Sequence, residues 1–257
     1  ARSEQNALMS SIIHLKITDD SFYNAIQQLK KEKLENYNTR LIEKIDKELN
    51  KSRKIPLHFV KELSMTTSIA FNAWLEARKK NDFTIFQPHL EKIVDLKRKQ
   101  ADYIALYPNR YDTLLDDYEE GMTIEKLKPF FNELKEGLLT LLKKIKNSKE
   151  YHNQKEVLLK KEFSKDSQIE LAKDVIKRIG LSEEFSRVDF AEHPFETRLG
   201  ICDIRITTNI RDDPLFSFGS SIHEAGHALY ELHLSEKGRY DFLENAPSLG
   251  LHESQSR

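Results

Sequence analysis

Along most of the first 180 positions, apolar residues recur at spacings of three, four and seven. That is the period of a helix with one buried stripe. Over 86–107 the stripe is Phe86, Leu90, Ile93, Val94, Ala101, Ile104 and Ala105. Pro88 falls in a first turn, where a missing N–H is harmless, and Pro108 stops the helix. The segment 123–146 repeats the logic with Leu127, Phe130, Phe131, Leu134, Leu138, Leu141, Leu142 and Ile145. Thr123 is a candidate cap, and Pro129 inside the pattern predicts a late start or a kink. Further helices are predicted over 57–79, carrying the sole tryptophan Trp74, and over 166–179, ended by Gly180 in a left-handed cap. These stripes are read as core. After Gly180 the period changes to two. Arg187 to Phe190 alternates, and so does Asp203 to Thr207, so both are predicted strands. Asp203, Arg205 and Thr207 share one face of the second strand, and Ile204 and Ile206 the other. Asp213-Pro214 then starts a helix expected to run to about His233.

Composition changes this picture in four places. None of the 8 glycines precedes Gly121, and five fall at or after Gly200, so the first 120 residues are expected to be near-continuous helix. The chain has 32% charged and 39% hydrophobic residues and a formal net charge of -1. It contains no run of about 18 apolar residues, so no membrane span is expected. The charge balance gives no reason to expect nucleic acid as a partner. The stretch 143–166 holds eight lysines against four acids; with acids interspersed and no aromatic ladder, it reads as a solvated face. The single Cys202 excludes an intramolecular disulfide framework and fits a reducing, cytoplasmic compartment.

The last predicted helix carries the chemistry. In His223-Glu224-Ala225-Gly226-His227 the two histidines are four apart, about 40° around the axis and about 6 Å along it. Both imidazoles project from one face and can bind one metal ion. Such an ion makes a water acidic, and Glu224, one position after the first histidine, can take its proton. Gly226 costs a helix interior roughly 1 kcal/mol relative to alanine, which points to close packing or ligand approach there. A catalytic zinc site takes three protein ligands. The candidates for the third are His193, His233, His252 and Glu253. His233, six positions from His227, points away, and spacing does not choose between His252 and Glu253.

Four short motifs occur in order: His193-Pro194-Phe195; Asp203 to Thr207; His223 to His227; and His252-Glu253-Ser254-Gln255. With a helical N-terminal half, they make the chain similar to the carboxypeptidase Taq family of metallocarboxypeptidases. The resemblance implies a mainly α fold, neurolysin-like, with a helical groove and a small β-sheet beside the HExxH helix. It implies Glu253 as the third ligand beside His223 and His227, and Glu224 as the general base. It implies zinc, replaceable by cobalt, and removal of C-terminal residues from peptides with broad specificity, disfavouring proline. Homodimers are typical of the family, and peptides are the expected partners. On this resemblance the chain is a central part of a longer enzyme: a helical wall over 1–180 and a catalytic region over 181–257 of one discontinuous catalytic domain. Two further family motifs are expected beyond Arg257, so this part alone need not be active.

Further expectations attach to four residues. Arg205 is a candidate for pairing with a substrate carboxylate, or else forms an ion pair with Asp203. Asp203 is a candidate for orienting a ligand histidine, or simply holds its strand. His193 is a candidate substrate contact, or part of a tight turn through Pro194. Thr207 completes the strand motif as a candidate substrate-binding residue. The rival readings are an oligopeptidase of the thimet or neurolysin type and an inactive helical module that retains a metal site.

Overall fold

The structure, a computed structural model, describes residues 2–152, 163–200, 202–234 and 241–257. The chain divides into two compact units, residues 1–117 with 240–243, and residues 118–239 with 244–257. The basic stretch 143–166 falls partly outside the described residues, at 153–162.

The first unit is helical: α1 (Arg2–Ile17), α2 (Asp20–Leu29), α3 (Asn36–Ser52), α4 (Leu57–Lys80), a 3-10 turn (Phe83–Ile85), α5 (Gln87–Ile104) and α6 (Arg110–Leu115). The breaks arise without glycine. Asp19 caps α2 by accepting from Ser21 N at 2.9 Å and Phe22 N at 3.3 Å. Asn81 (φ 51°) closes α4 and Ala105 (φ 43°) closes α5, both in the left-handed region that glycine usually serves. Lack of glycine therefore does not make this half one continuous helix. α1 lies along α4, and α4 along α5. Phe59, Ala70, Ala77, Leu96, Ala101 and Ile104 are buried, whereas Leu90 and Val94 of the predicted stripe are exposed and Trp74 is half-buried. A second cluster, Ile26, Ile42, Ile45 and Leu49, joins α2 to α3. The Asp116 side chain, 1% exposed, lies 2.9 Å from Lys47 Nζ and 2.8 Å from Lys51 Nζ, tying the end of α6 to α3.

The second unit contains α7 (Ile124–Lys146), α8 (Lys149–His152), α9 (Lys165–Arg178), β1 (Ser186–Phe190), β2 (Glu196–Gly200), β3 (Asp203–Thr208), α10 (Pro214–Leu232) and α11 (Leu249–Gln255). The sheet order is β1-β3-β2, with β1 parallel and β2 antiparallel to β3. Register decides what each face carries. Ile206 stands opposite Val188 and Glu196, and Ile204 opposite Arg198, so Glu196 and Arg198 share the face of the two isoleucines. That face packs on α10. Ile204, Ile206, Ala225 and Ala228 are almost wholly buried together, joined by Ile176 of α9 and by Leu181. Gly180 takes φ 101° after α9, as its place in the pattern predicts. The protein is mainly helical, with one small sheet beside the HExxH helix.

For α7 one expectation is narrowed and one is corrected. The helix starts at Ile124, with Thr123 Oγ1 accepting from Lys126 N at 3.4 Å, so Pro129 does not delay it. Its apolar stripe is not core. No residue of α7 is buried, and Phe130, Phe131, Leu134, Leu138, Leu141, Leu142 and Ile145 are all exposed. Periodicity marks which face would be buried, and packing requires an element to cover it. Among the described residues only α8 makes more than slight contact with α7.

Candidate metal centre

α10 is started by Asp213, whose side chain accepts from Leu215 N at 3.0 Å, with Pro214 in the first turn. Ala225 and Ala228 let its backbone approach the sheet, and this sets the rotation of the helix. Ser217 Oγ donates to Gln168 Oε1 at 2.7 Å and so fastens α10 to α9. His223 and His227 then stand side by side on an adjoining face, with ring centroids 4.8 Å apart and planes at 89°.

The third donor arrives on α11. Ser248 caps that helix, its Oγ accepting from Leu251 N at 3.0 Å. The Glu119 carboxylate accepts from Gly250 N, and Leu249 N donates to Tyr118 O at 2.9 Å. The end of α11 lies on α10 at Gly226, where a Cβ would come within 2.7 Å of Gln255 O and Ser256 Cα. Close packing is thus what Gly226 permits. Glu253 is thereby placed with Oε1 3.6 Å from His223 Nε2 and Oε2 3.3 Å from His227 Nε2. Three donors at about 2.1 Å from one tetrahedral ion would stand about 3.4 Å apart, and each imidazole Nε2 has a Glu253 oxygen close to that distance. The donor atoms of His223, His227 and Glu253 all lie within 4.8 Å of one another. Two imidazole nitrogens and a carboxylate form a donor set that suits zinc.

Electrostatics favour the same reading. Burial first, then the His252 and His223 charges, depress the His227 imidazole, which favours the neutral ring a metal needs. Glu224 is 7% exposed. Its carboxyl is pushed up to about 7 by burial, then by the charges of Glu196 and Glu253. Glu196 is likewise raised to about 7, by burial and then by Glu231. A carboxylate poised near neutrality, beside a candidate set of metal donors, is suited to general-base work.

The other sequence candidates lie elsewhere. Asp203 and Arg205 pair through two contacts, Nε to Oδ1 at 2.5 Å and Nη2 to Oδ2 at 2.9 Å. They occupy the sheet face opposite Ile204 and Ile206, and so turn away from α10. There they line an open cavity of about 700 Å³ with Arg187 and Asp189. Thr207 shares that face and is buried; its Oγ1 accepts from Phe195 N at 2.9 Å. The His193–Phe195 motif is thus anchored at the start of β2, with His193 Nδ1 2.5 Å from Pro194 O. His233 Nδ1 faces Leu229 O at 2.6 Å. His252 is at the centre without joining the donor set: its Nδ1 is 2.6 Å from His227 Nδ1. Sequence reasoning passed over Glu196 and Arg198, because β2 shows no clear alternation. It also passed over Glu231, although four positions beyond His227 is a spacing that could have found it.

The carboxypeptidase Taq (M32) metallopeptidase family matches residues 1–257. The chain belongs to this family. It is 34% identical over 259 residues to thermostable carboxypeptidase 1 of Pyrococcus furiosus, covering 100% of this chain and 52% of that protein. It is 35% identical over 219 residues to carboxypeptidase 1 of Bacillus subtilis, covering 84% and 43%. The crystal structure of the M32 carboxypeptidase from Deinococcus radiodurans R1 superposes with a TM-score of 0.84 at 32% identity, covering 100% of this chain and 51% of that one. The chain therefore spans about half the length of the M32 relatives it matches. No helix among the described residues is long and apolar enough to cross a membrane.

Proposed function

We propose that the full-length protein is a zinc-dependent metallocarboxypeptidase that releases C-terminal residues from peptides. The observation that carries this is the three-donor cluster of His223, His227 and Glu253 with Glu224 beside it, in a chain of the M32 family. When bound, the ion supplies Lewis acidity, polarising the scissile carbonyl and rendering water acidic. Glu224 takes the proton from that water at its carboxylate and delivers it to the leaving amine. Arg205 is already paired with Asp203 on the far face of the sheet, so the geometry favours the ion-pair reading over a substrate-carboxylate anchor. Broad specificity with proline disfavoured, substitution by cobalt, a homodimer and a cytoplasmic location complete the proposal, all on the family resemblance.

The test compares two peptides of one sequence, one with a free C-terminus and one amidated. Stepwise release of single amino acids from the free peptide, lost with a chelator and restored by zinc or cobalt, is the expected result. Internal cleavage of the amidated peptide would instead indicate an oligopeptidase. Glu253→Ala is expected to lower zinc content; an unchanged content removes that residue from the ligand set.

A further inference from the structure

A metal-ligating imidazole gives one nitrogen to the ion, and the partner of its other nitrogen sets the tautomer and the tilt of the ring. His227 turns Nε2 toward Glu253 and Nδ1 toward His252 Nδ1, 2.6 Å away. His252 Nε2 lies 2.8 Å from Glu231 Oε1. The second oxygen of Glu231, Oε2, is 3.2 Å from Arg198 Nη1, and Arg198 Nη2 is 3.3 Å from Glu244 Oε1. The side chains of His227, His252, Glu231 and Arg198 are only 11–15% exposed. The row crosses three elements: α10 supplies His227 and Glu231, α11 supplies His252, and β2 supplies Arg198.

One arrangement of protons satisfies every member. For His227 to offer an Nε2 lone pair to a cation, its proton must sit on Nδ1. That proton is donated to His252 Nδ1, which must then carry none. The His252 proton therefore sits on Nε2 and is donated to Glu231, whose other oxygen faces the Arg198 guanidinium. Successive residues of a helix diverge by about 100°, so α11 can send Glu253 to the Nε2 side of His227 and His252 to its Nδ1 side. Edge packing of Tyr230 against His252, with centroids 5.2 Å apart at 88°, fixes the bridging ring.

We propose that His252 and Glu231 are positioning residues, which hold His227 in the Nδ1–H tautomer and aim its Nε2 at the metal, with Arg198 steadying Glu231. This rests on the metal centre proposed above. The experiment measures zinc dissociation constants of the full-length protein by competition with a chromophoric chelator. His252→Phe keeps a ring but loses the acceptor, whereas His252→Asn loses the ring but keeps an acceptor near the Nδ1 position. Positioning by hydrogen bonding predicts that Phe weakens zinc binding about 10–100-fold and that Asn recovers part of that loss. A purely packing role predicts the reverse order. Phe binding as tightly as the parent, or Asn binding more weakly than Phe, overturns the proposal. Should the Phe variant lose its far-ultraviolet circular dichroism, the parent alone decides. Long-range nitrogen–proton NMR spectra of the zinc-loaded parent should show His227 protonated at Nδ1 and His252 at Nε2, and any other tautomer pair overturns it. A parent that binds no zinc, or a His223→Ala variant that binds as tightly as the parent, would sink the metal centre itself.

Discussion

At the scale of single residues, Glu224 is the most informative position. It is buried on α10, and its carboxyl is raised to about 7. Glu224→Gln preserves shape but removes the proposed base. Peptidase activity is expected to fall by at least about 100-fold, the low end of what general-base catalysis contributes. Zinc content should stay at the parent level, and elemental analysis beside the peptide assay checks both. The raised carboxyl also has a pH consequence. In the metal-free fold Glu224 holds a proton between about pH 4.5 and 7 that the unfolded chain has already shed. Its burial therefore costs no stability below that range; the cost accrues as pH rises from about 4.5 to 7 and is complete above it. A dication in the cluster favours the charged carboxylate and expels the proton. Zinc binding at pH 6 should thus release protons, and release less in Glu224→Gln. Calorimetry in buffers of different ionisation enthalpy measures this directly.

At the scale of elements, the site depends on how α11 meets α10. α11 has only 7 residues and would not hold a helical shape alone. It is fastened by the Ser248 cap, by Glu119 across 131 positions of sequence, and by its seat on Gly226. The atoms that a Cβ at 226 would strike are backbone atoms of 255 and 256, which cannot swing aside as a side chain can. Gly226→Ala should raise the intrinsic helicity of α10 yet displace α11 and Glu253, so that zinc binding weakens at least about tenfold, given that even partners of metal ligands contribute 10–100-fold. Gly137→Ala in α7 is the control. Nothing lies within 4 Å of a Cβ there, so zinc affinity should not move. Chelator competition on both variants decides. The helices were largely legible in the pattern of apolar positions, as α4, α5, α9 and α10 show. β2 was not, because Glu196 to Gly200 carries no alternation and is a strand only by pairing with β3. The fate of the α7 stripe was not legible either: amphipathicity is a property of one helix, burial of two.

At the scale of the whole molecule, a metal that joins α10 to α11 binds the folded chain and not the unfolded one. Free zinc at 100 times its dissociation constant should add about 2.7 kcal/mol to the free energy of unfolding. Denaturant titrations with and without zinc test this, and His223→Ala should abolish the difference. The local chemistry of this protein was determined by the sequence alone. A histidine pair four apart on a predicted helix, with a glutamate after the first, meets on one face whatever else the chain does, because 3.6 residues per turn is a local rule. Tertiary structure alone decided the rest. It put Glu253 against both imidazoles, and it left Asp203 and Arg205 on the far face of the sheet. It also drew Arg198, Glu231 and His252 into one row behind His227. These contacts join residues that lie 21 to 46 positions apart, or 131 in the case of Glu119, and no periodic signal spans such distances. They exist because α10, α11 and the sheet pack in one particular way.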